Sequence, residues 1–372
     1  MTMYGGGPRD PDRTEEDDEL PPEAPMPWRA AAPQIDPATG IPVLIEKWDD
    51  ELPVPTRADN VASAFDRTKR AIGPATWHAL GLLAFAAAVI GALLGIAVAW
   101  IHITGDPLAD AHAYYDAASR LNAGQPLYPA GIDPSTNRIY LYPPLFAILL
   151  RPLALLPYEA FALVWELLVV ASFVVLLRYL GVRRRSTWIA IGILGVPIGW
   201  ALTVAQAHVP MTLFLAIGQP WSIALAANLK LFPAAIAIWW LGRRDFQAFG
   251  AFVVWSALLV GAQLLLDWNG TLSFFSSIGF AQIGEVINWS PYAQSPWLWF
   301  GLVLLGALVT LGLARTRWGW AAAVTFATLS PPRLLTYMFM GLLAAIRQPR
   351  VSGEPDAADL SDPAAAYGRA AR

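Results

Sequence analysis

Ala79-Leu-Gly-Leu-Leu-Ala-Phe-Ala-Ala-Ala-Val-Ile-Gly-Ala-Leu-Leu-Gly-Ile-Ala-Val-Ala-Trp100 is an apolar run without a single charged residue. Wound as an α-helix at about 1.5 Å per residue, it is long enough to cross a hydrocarbon core of roughly 30 Å. Similar runs lie at Ala160–Leu180, Trp188–Ala205, Ala248–Leu266 and Trp297–Leu313. The whole chain of 372 residues is 56% hydrophobic and 14% charged, whereas soluble domains carry about 25% charged residues. The sequence therefore predicts an all-α, polytopic membrane protein. Its 17 Trp and 11 Tyr suit the boundary between acyl chains and headgroups.

Three further apolar segments are too short or too interrupted to cross alone: Leu145–Leu156; Val209–Leu241, broken by Pro220, Lys230 and Pro233; and Trp318–Ile346, broken by Pro331 and Pro332. Broken helices at membrane depth belong where they are buried in protein or line a cavity. Basic clusters mark cytoplasmic loops. Here they are Arg67, Lys69 and Arg70; Arg183, Arg184 and Arg185; Arg243 and Arg244; Arg315 and Arg317; and Arg347 and Arg350. All fall on one side if the first span runs from inside to outside and the broken segments are re-entrant. Both termini are then cytoplasmic, and Thr104–Tyr142 and Asp267–Pro296 face outward.

Residues 1–74, rich in Pro and with Glu15 to Glu19 acidic throughout, read as a disordered cytoplasmic tail. Within it, Ile41–Trp48 reads either as a docking motif or as an apolar patch. Met1 is followed by neither a basic nor an apolar stretch, so no secretory signal is expected. Residues 75–350 form the expected membrane domain and 351–372 a cytoplasmic C-terminal tail. The net charge of −3 decides little by itself, because acidic residues crowd the first tail while Lys and Arg punctuate the apolar stretches, and nucleic acid is not an expected partner. With no Cys, disulfides, thiolate metal sites and cysteine nucleophiles are excluded.

The first outer loop opens with Asp106-Pro107, the pattern of a helix cap followed by proline at the first helical position. A helix is expected from there to Gly124, with Leu108, Ala111, Tyr115, Ala118 and Leu121 on an apolar face lying along the membrane surface. Asp110, His112, Tyr114 and Asp116 occupy this helix. A carboxylate here is either simply solvated or a general base for a sugar hydroxyl that comes within hydrogen-bond reach.

The run Asp110-Ala-His-Ala-Tyr114-Tyr115, then Gly124, Pro126-Leu-Tyr128, Tyr142-Pro-Pro-Leu-Phe146 and Pro152-Leu-Ala-Leu-Leu-Pro157, resembles glycosyltransferase family 87. Looser echoes continue at Gln206, Leu229-Lys230 before Phe232-Pro233, and Ser330-Pro331, so that the resemblance covers about Leu80 to Ile346. Where a Gln-x-Asn pair is expected, this chain has Gln206-Ala207-His208. The resemblance implies a GT-C helical bundle with an outer-loop juxtamembrane helix. It implies transfer of a sugar, mannose foremost, from a polyprenyl phosphate donor to a lipid or glycan acceptor on the outer face of the cell membrane. An aspartate of the first outer loop activates that acceptor, which puts the role on Asp110. Asp106 competes but also reads as a helix cap, and Asp116 also reads as a partner of His112 one turn earlier. Tyr114, His112, Gln206 and Tyr142, in the matching runs, are the substrate-binding candidates.

Lys230 interrupts an apolar run, and a charged group in such a segment is functional by default. It is either the counter-ion of a lipid phosphate or a side chain reaching for an interface. His208, Arg151 and Arg333 are lesser phosphate-binding candidates. In the second outer loop, Trp268, Phe274, Phe275, Phe280, Trp289 and Tyr292 suit either sugar stacking or the interface, and Glu285 is a possible second acid. Asn269-Gly-Thr271 and Asn288-Trp-Ser290 fit the glycosylation pattern, which is short enough to arise by chance. No phosphate-binding Gly-Lys-Ser/Thr loop and no His-Glu-x-x-His is present, so nucleotide hydrolysis and zinc hydrolysis are not expected, and neither cofactor nor metal is required. A transporter of lipid-linked sugars would also want broken helices and a buried Lys230, but matching halves, its usual signature, are not seen. An inactive membrane scaffold is the remaining alternative.

Overall fold

A computed structural model describes residues 34–35, 42–43, 73–129, 139–181, 185–276 and 288–349. The chain divides into 1–74 and 75–372. Of the first part, only a two-residue antiparallel ladder is described, β1 (Gln34–Ile35) with β2 (Pro42–Val43), Gln34 opposite Val43. The remainder of the tail reading lies outside the described residues, as do the C-terminal tail, Arg67, Lys69, Arg70, Arg183, Arg184, Arg350, Phe280 and Glu285.

The second part is all helical among its described residues. Four helices are long and apolar enough to cross a membrane: α1 (Pro74–Gly105), then, after α2 (Ala109–Asn122) and α3 (Pro144–Leu150), α4 (Tyr158–Leu180). The other two, α10 (Phe246–Leu266) and α12 (Pro296–Leu313), follow the short helices α5 (Arg185–Ile193), α6 (Gly195–Thr203), α7 (His208–Ile217), α8 (Pro220–Leu229) and α9 (Ala237–Arg243). Between α10 and α12 comes α11 (Trp268–Ser276), and after them α13 (Gly319–Leu329) and a 3-10 segment, Thr336–Ile346. The all-α, polytopic architecture expected from the sequence is therefore the one observed.

The stretch expected as one span at Trp188–Ala205 is instead α5 and α6, bent by 69°. Pro197 is the cause: its ring cannot sit beneath the carbonyl of Ile193, four residues back, and its missing N–H removes a helical bond. The bend sits against α1 through small residues. A Cβ on Gly91 would collide with the Gly192 carbonyl, and one on Gly95 with Gly195, so the two backbones approach as only glycine allows. Elsewhere α1 exposes Leu82, Leu83, Ile96 and Trp100, a face for lipid.

The proline-broken segments do form short helices, and they are packed inside. The α7–α8 hairpin lies against α4, α10 and the Thr336–Ile346 segment. Backbone groups freed by these breaks find partners. The N–H of Leu145, in the first turn of α3, donates to the Gln263 side chain at 3.1 Å, and Gln263 donates in turn to Asn228. Gln263 is fully buried in α10, where an unmade bond would cost several kcal/mol in an apolar medium.

The helix α4 gives the bundle two ends. Its first residue, Tyr158, stacks on His112 of α2, whereas near its last the Tyr179 carbonyl accepts from Arg347. Trp320, which donates to the Ala344 carbonyl at 2.8 Å and packs on Trp239 at 5.0 Å, belongs to the Arg347 end.

Candidate active site

The helix α2 is shorter than expected at its start. It begins at Ala109, and Leu108, not Asp106, occupies the capping position, with left-handed backbone (φ 58°) and no side-chain cap. Asp106 is exposed and outside the helix. Its buried residues are Ala111, Ala113, Tyr114, Ala117 and Ala118, so it is built into the protein by more than the single apolar stripe expected from the sequence. The small alanines are what let it approach α3 and α4 so closely. At the far end the chain turns at Gly124 (φ 67°), the expected terminator.

Two backbone bonds fasten the start of α2 to the end of α6. The N–H of Leu108 donates to Thr203 O at 3.1 Å, and that of Asp110 to Val204 O at 3.2 Å. One residue later Ala205 also adopts φ 58°. Left-handed backbone at non-glycine residues costs roughly 1–3 kcal/mol and persists where surroundings over-determine it. Here they do: Trp165 Nε1 donates to Ala205 O at 2.8 Å, and Gln206 N to Ala201 O at 2.9 Å. The two strained residues flank the contact between Asp110 and Gln206.

That contact is a 2.6 Å hydrogen bond from Gln206 Nε2 to Asp110 Oδ2. The other end of the same amide, Oε1, accepts from Tyr114 OH at 2.8 Å and from Tyr142 OH. Tyr114 OH itself accepts from the Ala207 N–H at 3.1 Å. Tyr114, Tyr142 and Gln206 are buried, while Asp110 keeps an exposed edge. Removal from water raises the Asp110 carboxyl to about 7; the charges of Lys230 and Arg333 and the Gln206 bond pull it down, and Asp106 pushes it up.

Lys230 reaches this centre from the break after α8. Extended backbone at Lys230 (φ −150°, ψ 134°) ends the helix, and the side chain donates to Tyr337 OH at 3.2 Å. Its ammonium lies 4.6 Å from the Tyr337 ring and 5.5 Å from that of Tyr142, within cation–π range. Arg333 is near enough to act on both Asp110 and Lys230. Its loop is clamped by Asn288, which donates to Pro332 O at 3.1 Å and accepts from Leu334 N at 2.9 Å. Trp289 N closes the clamp on Leu334 O at 2.9 Å.

The structure thus gathers Asp110, Tyr114, Tyr142, Gln206, Lys230 and Arg333. His208 is adjacent, its Nε2 3.0 Å from Met338 O and its ring 5.8 Å from that of Tyr337. His112 is turned away, stacked at 3.7 Å on Tyr158, because two residues of helix rotate a side chain by about 200°. Arg151 is engaged elsewhere, donating to Asn122 Oδ1 at 3.0 Å. Tyr337 carries no mark in the sequence that would have singled it out, and Asn288 was marked only by the short glycosylation pattern Asn288-Trp-Ser290. Among the described residues no three His, Asp or Glu are grouped to hold a metal.

An apolar cavity of about 410 Å³ is lined by Pro143, Asn228, Leu231, Phe252, Val260 and Phe274 among others, with Lys230 itself outside the lining. A carboxyl group hydrogen-bonded to a buried amide, with Lys230 and Arg333 near enough to act on it, gives this membrane protein a polar centre within an otherwise apolar bundle. Comparison with known sequences supplies the particular family. The sequence model of glycosyltransferase family 87 matches residues 140–354, more than half of the chain, which belongs to that family.

Two similar proteins bear the same description, polyprenol-phosphate-mannose-dependent alpha-(1-2)-phosphatidylinositol pentamannoside mannosyltransferase. That from Mycolicibacterium smegmatis is 29% identical over 59% of this chain and 62% of its own length. That from Mycobacterium tuberculosis is 26% identical over 54% of this chain and 51% of its own length. The matches therefore span less than two thirds of either relative. No solved structure matches.

Proposed function

We propose that the chain is a membrane glycosyltransferase of GT-C type that moves a hexose, mannose foremost, or a pentose from a polyprenyl monophosphate to a lipid or glycan acceptor. The observation that carries this reading is one chain of contacts, from Asp110 to Gln206, from Gln206 to Tyr142, and from the Tyr142 ring to the Lys230 ammonium at 5.5 Å. The acceptor hydroxyl gives its proton to Asp110 while its oxygen bonds to the anomeric carbon. The bond from that carbon to the phosphate oxygen breaks, and the phosphate leaves with the electron pair and a charge that Lys230 and Arg333 neutralise. No covalent intermediate forms, so the configuration inverts. The apolar groove lined by Leu231, Phe252 and Phe274 suits the prenyl chain of such a donor.

On this reading the centre faces outward from the cell membrane, and Arg243, Arg315 and Arg347 at the other end of the bundle support it, because basic clusters favour the cytoplasmic side. A topology reporter inserted between Asn269 and Gln294 would then read external, and a cytoplasmic reading reverses the orientation. The activity is tested by incubating the full chain in lipid with a panel of polyprenyl-phosphate sugars and a phosphatidylinositol mannoside, with mass spectrometry of donor and product. Consumption of mannosyl donor with a heavier acceptor is expected. Donor that crosses the vesicle membrane unconsumed would replace the transferase with a transporter.

A further inference from the structure

We infer that Gln206 is a positioning residue, which orients the Asp110 carboxylate through Oδ2 and favours its ionised form without touching substrate; this rests on Asp110 being the base. Gln206 is only 1% exposed, and both ends of its amide are used within the protein. Two phenols, Tyr114 and Tyr142, donate to Oε1, which has two lone pairs to accept with. This fixes the amide so that its nitrogen, and not its oxygen, meets the carboxylate. Donation to both lone pairs also polarises the amide and strengthens the N–H that it offers.

The 2.6 Å bond to Oδ2 is made to a charged acceptor, and it favours the ionised carboxylate over the neutral acid. With Oδ2 taken by the amide, Oδ1 is the oxygen left to meet the acceptor hydroxyl. Gln206 is not alone in setting the ionisation. Lys230 and Arg333 act in the same direction from the break after α8 and the loop after α13, Asp106 acts against them, and the phenols Tyr114 and Tyr142 face the carboxylate as well. What distinguishes Gln206 is direct contact, held by the left-handed Ala205 before it and the fastened backbone of Leu108 and Asp110 opposite.

The test reads the carboxyl itself. Infrared difference spectra of the full chain in lipid, recorded against pH, report the protonated Asp110 carbonyl, assigned by its disappearance in Asp110→Asn. In Gln206→Met, which keeps length and removes the amide, the midpoint is expected to rise by about one to two pH units, the equivalent of a hydrogen bond to a charged group. Tyr142→Phe, which removes one phenol from Oε1, shifts it less in the same direction and decides the matter if Gln206→Met does not fold. An unmoved midpoint in the folded variant overturns the inference. In turnover assays with mannosyl polyprenyl phosphate, the acid limb of kcat should move upward with the donor KM little changed. A raised KM with an unmoved acid limb would make Gln206 a binding residue. If Asp110→Asn turns over normally although the carboxyl shifts in Gln206→Met, the base reading falls and the positioning contact stands.

Discussion

At the α2 end of the bundle, Asp110, Gln206, Tyr114, Tyr142 and Lys230 form a connected polar network with strained backbone on both of its sides. At the Arg347 end, Trp239, Trp240 and Trp320 pack ring against ring, with Trp239–Trp320 centroids at 5.0 Å and Trp239–Trp240 at 6.4 Å. Trp239 Nε1 makes no hydrogen bond there among the described residues. Both ends are drawn from apolar, proline-interrupted sequence. One end uses helix breaks to bring polar groups together, and the other uses short helices to bury large rings. Broken helices alone therefore do not mark a site; what marks it is the convergence of charged groups from elements distant in sequence.

The comparison predicts different symptoms of damage at the two ends. The largest belongs to Asp110→Asn, which keeps size and removes basicity. Turnover should fall by about 100- to 10,000-fold while donor binding survives, read by separate rate and binding measurements. In the unaltered protein, the base works only when ionised, so kcat should rise with pH and level off above about 7, falling roughly tenfold per unit below that. A flat profile across pH 5–8 would remove Asp110 from the rate-limiting step. Trp320→Ala, at the other end, should cost about 3–5 kcal/mol of stability, seen as a lower thermal midpoint, with kcat per folded molecule unchanged. A large drop in kcat there would show that the two ends are coupled and would break the comparison.

Lys230→Met is expected to weaken donor affinity by about 10- to 100-fold, the scale of a lost hydrogen bond to a charged group, with the fold preserved. Arginine at this position should rescue poorly, since its planar fork differs from a compact ammonium. Unchanged donor binding would leave Lys230 with its Tyr337 contact alone. The smallest effect is that of Asp106→Asn: exposed and outside α2, it should alter stability by no more than about 0.5 kcal/mol and turnover little. Should Asp106→Asn instead abolish activity, the base lies at the start of the loop.

The four long spans were legible in the sequence because unbroken apolar length is itself the physical requirement for crossing a bilayer. The 69° bend was missed, since hydropathy averages over Pro197 and its effect on Ile193 is steric. Asp110 was legible through a family resemblance carried by Tyr114 and the Tyr142 motif, and Lys230 by its cost in an apolar run. Their proximity was not legible, because 120 residues and several short helices separate them. Arg333 was legible as a lesser phosphate-binding candidate, but not the clamp on its loop, in which the Asn288 side chain holds the backbone of Pro332 and Leu334 from more than 40 residues away. The capping role assigned to Asp106 failed because α2 is fixed by tertiary bonds to α6, which override local propensity.

The left-handed Leu108 and Ala205 bear on how this protein would respond to selection for thermal resilience. Glycine enters that backbone region without steric penalty, which is a gain at Ala205, where only a methyl group is lost, but not at Leu108, whose side chain packs against the core. The same exchange would slacken the two chain segments that hold the carboxylate and the amide together. Directed evolution scored on heat tolerance alone should drift towards glycine at position 205 and slower variants, and only a screen that also scores turnover should retain the alanine.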